Sequence, residues 1–452
     1  MSPATQAVLQ SWSFPSYVTA INILMVFVYV RGWQALRAAM PYRFTAWRLI
    51  SFVSGIAALE IALASPIDTL DPFLLTSHML QHMILMMIVP PLILLGDPAI
   101  PLLHGMPLWA SRDVLGPVLS WPPLQRLGRR LTHPVAAWLL MAIAMLGWHV
   151  PAAYEFALRS PGWHEIEHAC FLVVSVLFWW PVVQPWPSRP QWPRWTMPLY
   201  LLLADFVNSA LSAFLTFSDR VLYPWYAAVP RLGGFSAQSD QVAAGVSMWV
   251  IGSFAFLIPA VIMTAKLLSP SPPEPEPERR PARPQTRFAR YVLPALMLAC
   301  PLAALAYGWL APEAIDTDGA VIRIQGTSGA FCITVFTEPG SLRAGPTSIG
   351  VLVQNKISGG TILDAAVDLS AQPAEGTKPE IVRATREQSV NRLIEAATVN
   401  LTGSGPWKLS VSARRASDQG GISTVLPGVA TESDVNHWTL IRFQVRNWLG
   451  VP

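Results

Sequence analysis

The chain has 452 residues, of which 52% are hydrophobic and only 13% are charged, and its formal net charge is +4. Soluble domains carry about 25% charged residues, so this composition and its long apolar runs indicate a protein that crosses a membrane several times. The three cysteines are widely spaced and form no C-x-x-C pair, which gives no support to a disulfide framework or a thiolate metal site. We expect a lipid bilayer around the chain and no nucleic-acid partner.

Apolar runs predict seven spans before a Pro-rich break and an eighth after it. The first run has no basic residue before it and Arg31 after it, which is typical of a retained span rather than a cleaved signal peptide. Arginines concentrate in alternate loops, so the positive-inside rule places the N-terminus and the C-terminal part outside. The predicted spans are 16–36, 44–65, 74–96, 133–150, 164–184, 197–217, 242–266 and 290–311.

Composition divides the chain into four parts. Residues 1–268 form a seven-span core, 269–289 a Pro-rich cytoplasmic linker, 290–311 an eighth transmembrane helix, and 312–452 an outer domain with a C-terminal tail. The outer domain shows short β-branched runs, period-two alternation and Gly or Pro turns, which predict strands. The predicted fold class is therefore an all-α polytopic membrane helix bundle of about eight transmembrane helices, followed by a small all-β sandwich.

Five of the eight histidines fall at a similar predicted depth near the outer surface, on three different spans. His78 and His82 start the third span four residues apart, so they share one helix face. His164 and His168 repeat that spacing at the start of the fifth span, and His149 ends the fourth. Ionisable side chains within apolar spans are costly and usually functional. The pattern favours a metal or haem site over histidines that only hydrogen-bond inside the bundle.

Other side chains in the same spans have two interpretations each. Met79 and Met83 adjoin the first histidine pair, and thioether with imidazole suits copper, particularly Cu(I), although methionine is also ordinary core filler. Asp240, at the outer start of the seventh span, fits a metal ligand or a helix N-cap. Glu60 and Asp205 fit either hydrogen bonding between helices or a metal or proton path.

The segment HEIEH, residues 164–168, also matches the H-E-x-x-H signature of zinc metalloproteases, in which Glu165 would activate water. The pattern is short, and no third-ligand motif follows it on a later helix. A protease would also leave His78 and His82 without a role. An intramembrane metalloprotease is therefore only a lesser alternative.

Several segments closely resemble the CtaG-type cytochrome c oxidase assembly factors, over about residues 15–266. The likeness is carried by SPID, SHMLQHMILMMIVPPLILLGDP, HVPAAYEFAL, HEIEHACFLVVSVLFWWPV and DQVAAGVSMWVIGS. It implies a non-enzymatic, multi-pass protein of the bacterial inner membrane that is linked to copper insertion into the oxidase. Glu167 and His168 match the E-H pair of that family. The residues that the resemblance marks for the site are His78, His82, His149, His164, His168 and Asp240.

The C-terminal part is similar to YtkA/FixH-like β-sandwich domains, through TVFTEPGSLRAGPTSIGVLVQ. Those domains are also associated with the biogenesis of copper oxidases. This copy has one cysteine and no cluster of histidine or methionine in its strands, so we expect it to dock rather than to bind metal. The expected partners are the oxidase subunits and a periplasmic copper donor.

The leading hypothesis is a copper-binding assembly factor, and two alternatives stay open beside it. An integral oxidoreductase subunit would bind haem through the same histidines, although haem iron usually takes one ligand from each of two facing helices. A copper transporter would need matching ligands in the inner half of the bundle, where only Asp205 lies deep.

Overall fold

The computed structural model describes residues 2–269, except 160, 187 and 233, and residues 321–429, except 339–341, 343–344, 374–378, 403–404 and 417. The linker beyond residue 269, the predicted eighth span and the C-terminal tail lie outside these residues. A helical region comes first and an all-β region follows it. This order confirms the predicted fold class.

The helical region consists of long apolar helices joined by short ones. Among the described residues, six helices are long and apolar enough to cross a membrane, and the count rises to seven if the pair Pro122–Leu131 and Pro134–Trp148, bent by 70°, is one span. Each predicted span before the linker falls on one of these helices. The helices are α1 (Pro3–Leu9), α2 (Ser16–Ala39), α3 (Ala46–Ala64), α4 (Pro66–Leu70), α5 (Leu75–Met83), α6 (Val89–Leu95), α7 (Ala99–Gly105), α8 (Gly116–Ser120), α9 (Pro122–Leu131), α10 (Pro134–Trp148), α11 (Pro151–Leu158), α12 (Pro161–Val183), α13 (Thr196–Phe217), α14 (Pro224–Ala228) and α15 (Ala237–Leu268).

The third span changes helix type directly after its histidines. A π-helical turn at Ile84–Ile88 joins α5 to α6. Pro90 and Pro91 have no backbone N–H, so the Met86 carbonyl loses its partner in both α-helical and π-helical geometry. It accepts a hydrogen bond from Trp179 Nε1 instead, at 3.0 Å. Lipid offers no donor to a freed carbonyl, so this bond satisfies a group that would otherwise lack a partner. The bond also joins the third span to α12, the helix of the second histidine pair.

Two carboxylates within the spans, Asp205 and Glu60, join neighbouring helices. Ser253 Oγ donates to Asp205 Oδ1 at 3.0 Å and so links α15 to α13. Glu60 on α3 accepts hydrogen bonds from Thr19 and Asn22 on α2. These contacts favour hydrogen bonding between helices over a metal or proton path for both carboxylates.

The all-β region is a sandwich of two antiparallel four-stranded sheets. The strand orders are β1-β2-β3-β6 and β5-β4-β7-β8. Period-two alternation puts Ile349, Val351 and Val353 of β3 into the core between the sheets, where Trp407 also lies. The strands are β1 (Val321–Ser328), β2 (Phe331–Glu338), β3 (Gly345–Asn355), β4 (Ala366–Pro373), β5 (Glu380–Ala384), β6 (Glu395–Leu401), β7 (Gly405–Arg415) and β8 (Asp418–Val429).

The β-sandwich packs on the segment that connects the second span to the third. Asn391 Nδ2 donates to the Thr69 carbonyl at 3.1 Å. The Phe336 ring meets the Phe73 ring edge-to-face, with centroids 5.9 Å apart. This segment leads directly into α5, so the β-sandwich lies at the end of the helical region where the third span begins.

Replacing Trp179 with Phe should lower the free energy of unfolding by about 1 kcal/mol, because the Met86 carbonyl then has no donor. Thermal unfolding of the full-length protein in detergent measures this change. Trp138→Phe is the matched control, since Trp138 Nε1 is buried and has no hydrogen-bond partner among the described residues. Equal loss of stability in the two variants would show that the bond to Met86 contributes nothing.

Candidate metal centre

Two histidine pairs face each other at the start of the third and fifth spans. The rings of His78 and His82 on α5 have centroids 4.3 Å apart, and those of His164 and His168 on α12 are 4.2 Å apart. Between the helices, the centroids of His78 and His164 are 5.1 Å apart, and those of His82 and His168 are 5.3 Å apart. The four-residue spacing thus brings four imidazoles into one compact group.

The fifth histidine, His149, lies at the edge of this group. It follows the last residue of α10, and its Nδ1 is 2.6 Å from the Met145 carbonyl. Nδ1 must carry the proton to donate to that carbonyl, so Nε2 keeps a lone pair. The His149 ring contacts Phe171 with centroids 6.3 Å apart, and Phe171 contacts His82 at 4.6 Å. The structure therefore brings all five predicted histidines to one place.

Most of these imidazoles present buried nitrogen atoms without a hydrogen-bond partner among the described residues. Such a buried polar atom costs about 1–3 kcal/mol, so a group of them is typical of a site for ordered water or an ion. Neutral imidazole is the commonest protein ligand for metal ions. The atoms concerned are His78 Nε2, His82 Nδ1 and Nε2, His149 Nε2 and His168 Nε2.

Two buried carboxylates join the histidines, and the sequence analysis did not select either as a ligand. Asp71 Oδ2 lies 3.5 Å from His164 Nε2 and 3.9 Å from His78 Nδ1. Glu167 Oε1 lies 4.0 Å from His82 Nε2. Glu167 shares a helix face with His164 through i,i+3 spacing. That spacing is the sequence pattern from which its place beside the histidines could have been predicted. Asp71 lies in a connecting segment, where no periodicity marks it.

Ligand atoms come close enough for a metal ion in two sets of three residues. His78, His82 and His168 form one set, and Asp71, His78 and His164 form the other. In each set the ligand atoms lie within 4.8 Å of one another. Imidazole nitrogens suit copper, zinc, iron or nickel, and carboxylate oxygens are harder ligands. The arrangement can therefore bind a transition-metal ion at a site enclosed by protein.

Buried tyrosines orient the outer part of the cluster. Tyr226 Oη donates to the Asp71 carbonyl at 2.9 Å and lies 3.3 Å from His78 Nδ1. The Tyr154 ring packs on the His78 ring with centroids 5.0 Å apart. Tyr223 Oη donates to the His149 carbonyl at 3.1 Å. Burial raises the pKa of Tyr226 well above its usual value, so the phenol stays protonated and keeps its donor.

Asp240 caps the helix that carries the first histidine pair. Its carboxylate accepts hydrogen bonds from the backbone N–H of Leu75 at 2.8 Å and of Thr76 at 3.0 Å, at the start of α5. A carboxylate at a helix N-terminus satisfies free N–H groups and the helix dipole. The N-cap of its own helix is Ser236. The contacts support a role in positioning His78, and metal ligation by Asp240 stays a prediction.

The two methionines and the H-E-x-x-H glutamate lie differently from the histidines. Met79 and Met83 are fully buried in the apolar core. Each follows a histidine by one residue and so points about 100° away from it around the helix. Metal ligation by these methionines therefore stays a prediction.

Glu165, the glutamate of the H-E-x-x-H pattern, accepts a hydrogen bond from Tyr17 at 3.3 Å. That contact leads away from the histidines and gives the protease interpretation no support.

Residues 27–269 match the family described as cytochrome c oxidase caa3 assembly factor (Caa3_CtaG). The chain belongs to this family. The match confirms the resemblance seen in the sequence, and it covers both histidine pairs, His149 and Asp240. The helices of this chain that are long and apolar enough to cross a membrane agree with a multi-pass membrane protein.

Curated relatives of this chain carry no assigned function in their names. Uncharacterized proteins of Mycobacterium bovis and Mycobacterium tuberculosis are each 26% identical to it over 271 residues, which is 58% of this chain and 40% of theirs. An uncharacterized protein of Mycobacterium leprae is 25% identical over 260 residues, 56% of this chain and 39% of its own. This chain thus spans less than half the length of these relatives. No solved structure matches it.

Asp240→Ala should loosen the first turn of α5, because the N–H groups of Leu75 and Thr76 lose their acceptor. A lost cap costs about 1–2 kcal/mol, so amide hydrogen exchange at residues 75–82 should accelerate about tenfold. Ser236→Ala, which removes the cap of α15 itself, is the control and should leave that segment unchanged. Unchanged exchange in Asp240→Ala together with loss of bound copper would instead make Asp240 a ligand.

Proposed function

We propose that this caa3 assembly factor holds copper at the histidine cluster and passes it to the oxidase during maturation. The observation that carries the proposal is the group of buried imidazole nitrogens without partners in the described residues. Copper is the cargo, so binding must be selective but reversible. It would arrive from a periplasmic donor and leave by exchange of ligands.

The geometry favours a small ion over haem. Two axial imidazoles must lie on opposite faces of a haem, with the macrocycle between them. The rings that face each other here have centroids 5.1 and 5.3 Å apart, and the Phe171 and Tyr154 rings pack against them. A group of four imidazoles at this separation suits direct ligation of a metal ion.

We place the histidine end of the bundle on the periplasmic side. At the other end of the third span, Asp97 lies 3.1 Å from Arg43 and 2.5 Å from Arg48, two residues of a basic loop. Basic loops face the cytoplasm. Burial raises the pKa of Asp97, and the two arginines oppose this effect because they favour the charged carboxylate. The β-sandwich, on the histidine end, is then periplasmic and able to meet a donor or the oxidase.

Impermeant thiol labelling tests this orientation. With the native cysteines replaced, Ser358→Cys in an exposed loop of the β-sandwich should react with a membrane-impermeant maleimide in intact cells. Asp113→Cys, exposed in the π-helical turn Ala110–Leu115 between the third and fourth spans, should react only after lysis. The reverse pattern would show that the histidine cluster opens toward the cytoplasm.

His78→Ala should abolish copper binding and His168→Ala should weaken it, and both should abolish oxidase maturation while the protein stays in the membrane, because each change removes a ligand. Copper per protein and oxidase activity are measured in cells that carry each variant. His149→Ala, at the edge of the cluster, should show a milder defect that excess copper rescues by mass action.

Two variants serve as controls for this experiment. His104→Ala changes a histidine on α7 whose Nδ1 contacts the Ile100 carbonyl of its own helix, and it should behave as wild type. Glu165→Gln should also leave function intact, since only a hydrolase needs that carboxylate as a base. Wild-type copper and activity in both the His78 and His168 variants would refute the copper assignment.

A further inference from the structure

The two sets of potential ligands overlap in one residue, His78. The outer set adds Asp71 and His164, and the inner set adds His82 and His168. On each helix the second histidine follows the first by four residues, which is about 6 Å along the helix axis. The cluster thus offers two adjacent metal positions along the direction from the surface into the bundle.

The two positions differ in chemistry. The outer one combines a carboxylate oxygen with two imidazoles, and the inner one has three imidazoles. Oxygen ligands favour harder ions, whereas nitrogen ligands alone suit copper in either oxidation state. Glu167, 4.0 Å from His82, lies beside the inner position, where its negative charge would offset that of a buried cation.

The outer position lies under the β-sandwich. Asp71 is fully buried between Thr69, whose carbonyl accepts a hydrogen bond from Asn391, and Phe73, which packs on Phe336. An ion that enters from this side meets Asp71 and His164 first. The inner position lies about one helical turn further into the bundle.

We propose that one copper ion occupies these two positions in turn, entering at the outer set and moving to the inner set while His78 remains a ligand. A neutral imidazole offers one lone pair to a metal, so His78 cannot serve two ions at once without losing its N–H proton. During the move, the bonds to Asp71 and His164 break as bonds to His82 and His168 form. This relay rests on the proposed copper-binding function.

Copper loading of the purified full-length protein, with Cu²⁺ alone as the probe, tests the relay. Wild type should bind one ion per chain. His82→Ala should still bind one ion at the outer set, with affinity lower by about tenfold or more. Asp71→Asn should bind one ion through nitrogens alone and take it up more slowly. Elemental analysis gives the stoichiometry, electron paramagnetic resonance gives the ligating nitrogens, and stopped-flow mixing gives the uptake rate.

His78→Ala should bind no ion, because both positions lose their common ligand, and His104→Ala should match wild type. His164→Ala is a second change in the outer set and should show the slow uptake even if Asp71→Asn does not fold.

Two ions per wild-type chain would overturn the claim that the two positions share His78 and hold one ion in turn. Loss of all copper in His82→Ala, with wild-type uptake in His164→Ala, would leave a single inner site and overturn the relay alone. Absence of copper from wild type would overturn the proposed function as well.

Discussion

Buried imidazole nitrogens without a partner are the constraint on which this structure depends. In an apolar interior, a polar atom without a hydrogen bond lowers stability, and the described part of the chain gathers such atoms from three helices into one place. Two buried carboxyl groups, those of Asp71 and Glu167, lie beside them. A bound cation would meet the first requirement, since it accepts the imidazole lone pairs, and it would attract the neighbouring carboxylates.

The surrounding elements hold the cluster in position. Asp240 fixes the start of α5, one turn before His78. Trp179 on α12 donates a hydrogen bond to the part of the third span that the prolines disrupt. The helices of the two histidine pairs are therefore joined just beyond the histidines. Tyr226 joins the Asp71 segment to His78 from a different helix. All of these helical contacts lie within the residues that match the caa3 assembly factor family.

Local patterns predicted the elements and the histidines, because each is encoded within a few neighbouring residues. Four-residue spacing put His78 with His82, and His164 with His168, on shared helix faces, and a common depth brought the pairs together. Contacts between distant segments have no such signature. Asp71 reaches the site from a connecting segment, and Asp240 caps a helix 165 residues away in sequence. The seating of the β-sandwich on Thr69 and Phe73 likewise depends on surfaces that form only in the folded chain.

X-ray absorption of the copper-loaded, full-length protein tests the central claim most directly, since it reports the atoms bound to the metal. The account predicts nitrogen or oxygen neighbours at about 2.0 Å with the multiple scattering of imidazole, by analogy with the distances of metal–histidine bonds. That signal should vanish in His78→Ala. A shell of sulfur at about 2.3 Å without any imidazole signal, or an imidazole signal that persists unchanged in His78→Ala, would place copper elsewhere and contradict the account.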